Sequence, residues 1–136
     1  MNIFKATGSL LSKALNTRQV GRRGEDITIR YLKREGMKIL GRNYQVGRDE
    51  FDVIAREGNC LVFVEVKTSR GEEFGDPAEW ITSWKKRRMI RSAQRYLRGH
   101  NYDGNPVRFD VVIVKTDSGG IKVEHYRDAF SAEFPT

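Results

Sequence analysis

The chain has 136 residues, 38% apolar and 32% charged, with a formal net charge of +7 and a pI near 9.8. One domain is the expectation from that length. Its apolar runs, such as Val111-Val112-Ile113-Val114, are far short of the roughly 20 residues that a membrane-spanning helix needs. The single cysteine, Cys60, excludes an internal disulfide and a multi-cysteine zinc site, and a reducing, cytoplasmic setting is the default. The basic balance points to a phosphate-rich polyanion or an anionic surface.

Residues 1–16 read as an N-terminal extension or short extra helix: Ile3, Phe4, Leu10, Leu11 and Leu15 with Lys5 and Lys13, interrupted at Gly8-Ser9. Organelle targeting is the minor alternative, since a continuous signal-type core is missing. Residues 17–136 form the single main domain. Asn16 or Thr17 offers a helix N-cap, and Val20, Gly24, Ile27, Tyr31 and Leu32 give a helical stripe that Gly36 stops. Glu25 lies beside this stripe, and on helix position alone it is a solvated acid paired with Arg18 or Arg22. Gly24 would let another backbone approach closely.

A first short strand follows through Gly41–Val46. Then Asp49-Glu50-Phe51-Asp52-Val53-Ile54-Ala55 and Leu61-Val62-Phe63-Val64-Glu65-Val66-Lys67 flank a turn at Glu57-Gly58-Asn59. Two such runs predict a hairpin. Alternation puts Leu61, Phe63, Glu65 and Lys67 on one face, and Glu50, Asp52 and Ile54 on one face of the partner strand. Carboxylates from both strands would then converge beside a lysine. Two carboxylates about 4 Å apart repel by about 4 kcal/mol at an effective dielectric near 20. One lysine cannot neutralise such a cluster, whereas a hard divalent cation can.

Gly71–Pro77 is a loop that enters a second amphipathic helix over 78–98, with Ile81, Trp84, Ile90, Ala93, Tyr96 and Leu97 as its apolar positions. It carries Lys85, Lys86, Arg87, Arg88, Arg91, Arg95 and Arg98 against Glu79 alone. A solvated face is the plain explanation of such a helix. Without acids one turn away the cations repel one another, so a polyanionic partner is the better one. Val107–Val114, apolar on both faces, predicts a central strand. Asp117-Ser118-Gly119-Gly120 turns into a last strand at Ile121–Tyr126. The expected class is α/β: a mixed sheet of about five strands flanked by helices.

Asp52, followed on the next strand by Glu65-Val66-Lys67, resembles the core of the PD-(D/E)xK superfamily, whose fold is restriction-endonuclease-like. In order, Gly21-x-x-Gly24-Glu25, Arg42-Asn43-Tyr44, Glu50–Ala55, Val62–Lys67, the Lys85–Arg88 helix and Arg108-Phe109-Asp110-Val111-Val112 resemble the YraN-like family of bacterial predicted endonucleases. Holliday junction resolvases are more distantly similar. The resemblance spans about residues 18–130. It implies a Mg²⁺- or Mn²⁺-dependent endonuclease acting on DNA, including branched or structured DNA, with a DNA- or RNA-binding protein lacking turnover as the alternative. Asp52 and Glu65 would hold the metal with the Val66 carbonyl, Lys67 would act on the attacking water, and Glu25 would complete the acidic cluster. Lys85, Lys86, Arg87, Arg88, Arg91 and Arg95 would bind nucleic acid. Symmetric cleavage of a junction would also require a homodimer, for which Trp80, Trp84 or the apolar N-terminal segment could supply the surface. This chain departs from the pattern in two places: no proline precedes Asp52, and Asp49 stands where the family usually has glycine.

Overall fold

The computed structural model describes residues 2–6, 17–70, 81–100, 102, 104–117 and 119–131. In chain order these form β1 (Asn2–Ala6), α1 (Thr17–Arg34), β2 (Lys38–Val46), β3 (Asp49–Glu57), β4 (Cys60–Arg70), α2 (Ser83–Gly99), β5 (Val107–Asp117) and β6 (Gly120–Phe130). The sheet has six strands in the order β1-β6-β5-β4-β3-β2. The β4–β5 pair is parallel and the other pairings are antiparallel. A parallel pair needs a crossover connection, and α2 lies in the segment that makes it. The result is the expected α/β, restriction-endonuclease-like architecture with a mixed central sheet.

One strand was not expected. Asn2–Ala6 is neither a loose extension nor a helix; it pairs antiparallel with β6, from Asn2 opposite His125 to Ala6 opposite Ile121. Residues 7–16 lie outside the described residues. So do residues 71–80, with the expected Asp76-Pro77 helix entry, Glu79 and Trp80, together with Ser118 and residues 132–136.

The two helices cover opposite faces of the sheet. On one face, Ile27, Tyr31 and Leu32 of α1 pack against Val53, Ala55, Val62, Val64, Val112 and Val114. On the other, Met89 and Ala93 of α2 pack against Ile54, Phe63, Phe109, Val111 and Ile113. Strand β5, buried on both faces from Phe109 to Val114, sits between β4 and β6, where its unbroken apolar run predicted it. Helix α1 stops at Gly36, whose φ of +93° is the left-handed conformation that ends helices. Thr82 caps α2 by accepting the Lys85 N–H at 3.1 Å.

Gly24 marks the closest approach of helix to sheet. A Cβ there would stand 2.0 Å from Cγ2 of Thr68 on β4. The missing side chain lets α1 sit against the strand one residue past Lys67, and this places Glu25 beside the far end of the hairpin.

Candidate active site

The site begins where β3 and β4 separate. Their ladder runs from Glu57 opposite Cys60 to Val53 opposite Val64. Phe51 packs on Phe63, with ring centroids 4.6 Å apart, in the α2-side core, while Val53 belongs to the α1-side core. Strict alternation would put residues 51 and 53 on one face, so the strand turns at Asp52. The expectation that Glu50, Asp52 and Ile54 share one regular face fails at this turn. In place of a further ladder bond, the Val66 N–H donates to Asp52 Oδ2 at 2.8 Å. A strand residue presents its N–H and C=O to the same edge, so the Val66 carbonyl opens onto the same gap.

Asp52 is pushed up to about 7, first by burial and then by the Glu65 carboxylate; Glu25 and Glu50 add to the effect and the Val66 N–H opposes it. The hydrogen bond that Asp52 accepts comes from a backbone amide rather than from a cation. Glu25 is also raised, chiefly by burial, although Asn43 hydrogen-bonds it and Arg42 stands 3.8 Å away. Of the expected partners of Glu25, the Arg18 side chain lies outside the described residues, and residues of β2 take the place of Arg22. Arg42 makes its shorter pair with Asp26, at 2.8 Å. Glu50 accepts from Gln45 Nε2 at 3.0 Å. Lys67 is half-buried, two residues beyond Glu65 on β4.

Helix α2 crosses this end of the sheet, and two of its cations turn inward. Lys85 Nζ meets Glu65 Oε1 at 2.9 Å. Arg88 pairs with Asp49, and Ser92 Oγ donates to Asp49 Oδ2 at 2.5 Å. Asp49 is accordingly held below the usual carboxylate range, first by Ser92 and then by Arg88. Asp49 is therefore already paired, and the charge imbalance falls on Asp52, which Glu65, Glu25 and Glu50 raise further. A pocket of about 170 Å³ lies here, lined by Glu50, Phe51, Glu65, Met89 and the Asp49 cluster.

The cations grouped as one nucleic-acid surface thus divide. Lys85 and Arg88 engage acids of β4 and β3, and the Lys86 ammonium stands 5.9 Å over the Phe130 ring. Arg87, Arg91 and Arg95 are exposed. The expectation that all seven merely repel one another overlooked acids from other elements, which no spacing along the helix discloses.

The donor set of Asp52, Glu65 and the Val66 carbonyl is hard oxygen, and the raised Asp52 registers a cluster short of positive charge. Both fit Mg²⁺ or Mn²⁺, which commonly take one or two protein carboxylates and complete their shell with water and phosphate. Among the described residues no group of three or more His, Cys, Asp or Glu side chains forms a metal site by itself.

A second cluster had no counterpart in the sequence reading. Asp110 is fully buried on β5 and accepts from Arg108 Nε at 2.9 Å and from the Asp128 N–H at 2.9 Å. It also bonds His125 Nε2 at 2.8 Å, and His125 Nδ1 lies 2.8 Å from the Tyr31 hydroxyl. Arg108 continues to Glu57 at 2.8 Å, which Arg127 also meets at 2.7 Å. The Arg108-x-Asp110 spacing was the only local sign of this network.

A mixed α/β sheet whose central strands part around an Asp and a Glu-x-Lys defines a restriction-endonuclease-like protein. The chain belongs to UPF0102, the YraN-like family: the profile described as "Uncharacterised protein family UPF0102" matches residues 24–114. It is 44% identical over 114 residues to a UPF0102 protein of Syntrophotalea carbinolica, covering 84% of this chain and 93% of that one. A UPF0102 protein of Rhodococcus opacus is 46% identical over 112 residues, covering 82% and 95%. One from Desulfosudis oleivorans is 44% identical over 119 residues, covering 87% and 95%.

Proposed function

We propose that this protein is a Mg²⁺- or Mn²⁺-dependent endonuclease that hydrolyses phosphodiester bonds in DNA, with branched or structured DNA as the preferred form, in a cytoplasmic setting. The observation that carries the reading is Asp52, half-buried beside Glu65 at the β3–β4 gap and raised to about 7, next to a helix rich in arginine. A carboxyl group near that value is about half-protonated at neutral pH, and a bound cation displaces that proton.

Asp52, Glu65 and the Val66 carbonyl hold the ion, which when bound polarises a phosphoryl oxygen and makes a water nucleophilic at neutral pH. Lys67 orients the attacking water or offsets charge developing on the phosphate. Glu25, brought in by the Gly24 contact, adds negative charge beside Asp52. Lys85 spans the pocket to Glu65, within reach of a phosphate seated there. Arg87, Arg91 and Arg95 follow the backbone along the exposed side of α2.

The test is cleavage of junction, flap, single-stranded and duplex DNA with Mg²⁺ or Mn²⁺, comparing wild type with Glu65→Ala. Metal-dependent product from the wild type alone supports the reading, whereas equal cleavage by both sinks it.

The Lys85–Glu65 pair favours a second reading, a DNA- or RNA-binding protein without turnover, because a lysine already balances one of the two carboxylates. It predicts salt-sensitive binding and no product with any metal. If four arginines each neutralise a phosphate, log K against log[salt] slopes at about −4 on duplex DNA, and replacing Arg87, Arg91 and Arg95 together removes about 3 of that.

A further inference from the structure

We propose that Trp84 is a stacking platform for an unpaired base, so that the nucleic acid taken by this site carries an unpaired nucleotide next to the phosphate in the acidic pocket. The inference rests on the nucleic-acid reading of α2 and adds the form of the strand. Trp84 is 61% exposed, the only large apolar side chain so placed among the described residues. A lone exposed apolar residue is ordinary. The company it keeps is what distinguishes this one.

Trp84, Arg87, Arg91, Arg95 and Arg98 are all exposed, and at 3.6 residues per turn they fall within about 80° of arc on one side of α2. At 1.5 Å per residue this row is about 21 Å long. An aromatic face at the head of a guanidinium row suits a single strand, whose bases stack on the ring while its phosphates meet the cations. The indole is also braced. The Arg88 guanidinium carbon stands 5.2 Å from the ring centroid, within cation–π range, and Arg88 is itself anchored on Asp49, which Ser92 holds. Little rotamer freedom therefore remains to be lost when a base arrives. The next residue, Lys85, reaches Glu65, so the platform adjoins the pocket at one end of the row. In a duplex both faces of an internal base are covered by its neighbours, so the indole can stack only on a base that is unpaired or terminal.

The test reads binding in metal-free buffer at one fixed salt concentration, by titrating Trp80→Phe protein with oligothymidylate or with a blunt duplex of equal length. Oligothymidylate is expected to quench Trp84 fluorescence more strongly than the duplex does. Adding Trp84→Ala should weaken oligothymidylate binding about fivefold to a hundredfold and duplex binding by less than about twofold. Trp84→Phe should restore most of the loss, which a merely structural defect would not allow. Unchanged oligothymidylate affinity in Trp84→Ala, or equal losses on both probes, would overturn the inference. Because no cleavage is read, a protein that stacks a base on Trp84 and never cuts would refute only the nuclease reading. One that cuts in the separate cleavage assay but binds oligothymidylate equally well with and without Trp84 would refute only this one.

Discussion

Two aspartates on the central strands of one sheet occupy opposite electrostatic situations. Asp110 is fully buried, yet Arg108, His125 and the Asp128 N–H surround it. Burial works to raise it, and those partners, His125 foremost, outweigh burial and hold it below the ordinary range. Asp52 has one backbone donor and three neighbouring acids, and burial with their charge lifts it to about 7. Completing a buried carboxylate's hydrogen bonds makes it part of the scaffold. Leaving it short of positive charge stores a demand that a ligand can meet.

Removing each charge should therefore have opposite signs. Asp110→Asn removes the negative charge that faces Arg108 and disrupts the buried hydrogen bonds around it, and should cost about 3–5 kcal/mol in denaturant unfolding near pH 7. Because Asp110 is depressed in the folded chain, its contribution is present above the unfolded value of about 4 and is lost as pH falls through its folded value. The cost of the variant should shrink in acid. A cost that stayed constant down to pH 2 would show that packing, not charge, sets the role of Asp110.

Asp52 gives the reverse case. The folded chain binds this proton more tightly than the unfolded chain does, so stability falls as pH rises from about 4 to about 7 and stays low above that. Asp52→Asn should stabilise the metal-free protein by at most about 4 kcal/mol at pH 8 and by little at pH 4. Thermal melts at the two pH values decide it. Stabilisation by removing a site residue is the pattern of a group kept for function at the expense of folding.

A smaller effect is expected where α1 meets β4. Gly24→Ala forces a methyl against the stiff, branched Thr68 and should cost about 1–2 kcal/mol, the packing strain exceeding what alanine adds to helix propensity. Pairing it with Thr68→Ser should recover most of the loss; no recovery would put the strain elsewhere. The smallest effect belongs to Lys85→Ala, since its pair with Glu65 is partly exposed. A stability change below about 1 kcal/mol is expected, and a larger one would place that lysine in the scaffold.

The scaffold's strands and helices were legible because their signals are local. β-branched runs around Gly58-Asn59 gave the hairpin, a doubly apolar run gave β5, and the apolar spacing of Ile27, Tyr31 and Leu32 gave α1. β1 escaped because Ile3 and Phe4 among basic residues look the same in a helix or an edge strand, and the partner that decides between them, β6, lies more than a hundred residues away. The hairpin placed Asp52 close to Glu65, since both belong to it. It could not show that β3 turns at Asp52, because alternation assumes a regular strand. Which acids are neutralised was mostly hidden: Asp49 pairs with α2 and Asp110 with His125 of β6, contacts between separate elements, while Arg108, two residues from Asp110 on the same strand, was the one local sign. The second histidine, His100, stacks on Tyr96 with ring centroids 3.9 Å apart, so histidine count alone could not single out the buried one.

The central claim is that Asp52 is the carboxylate that waits for a cation, and its own titration tests that most directly. Carboxyl-carbon NMR of Asp52 should give a midpoint near 7 in the metal-free protein, moving well down in saturating Mg²⁺ as the ion displaces the proton. A midpoint near 4 that Mg²⁺ leaves unmoved would contradict the account.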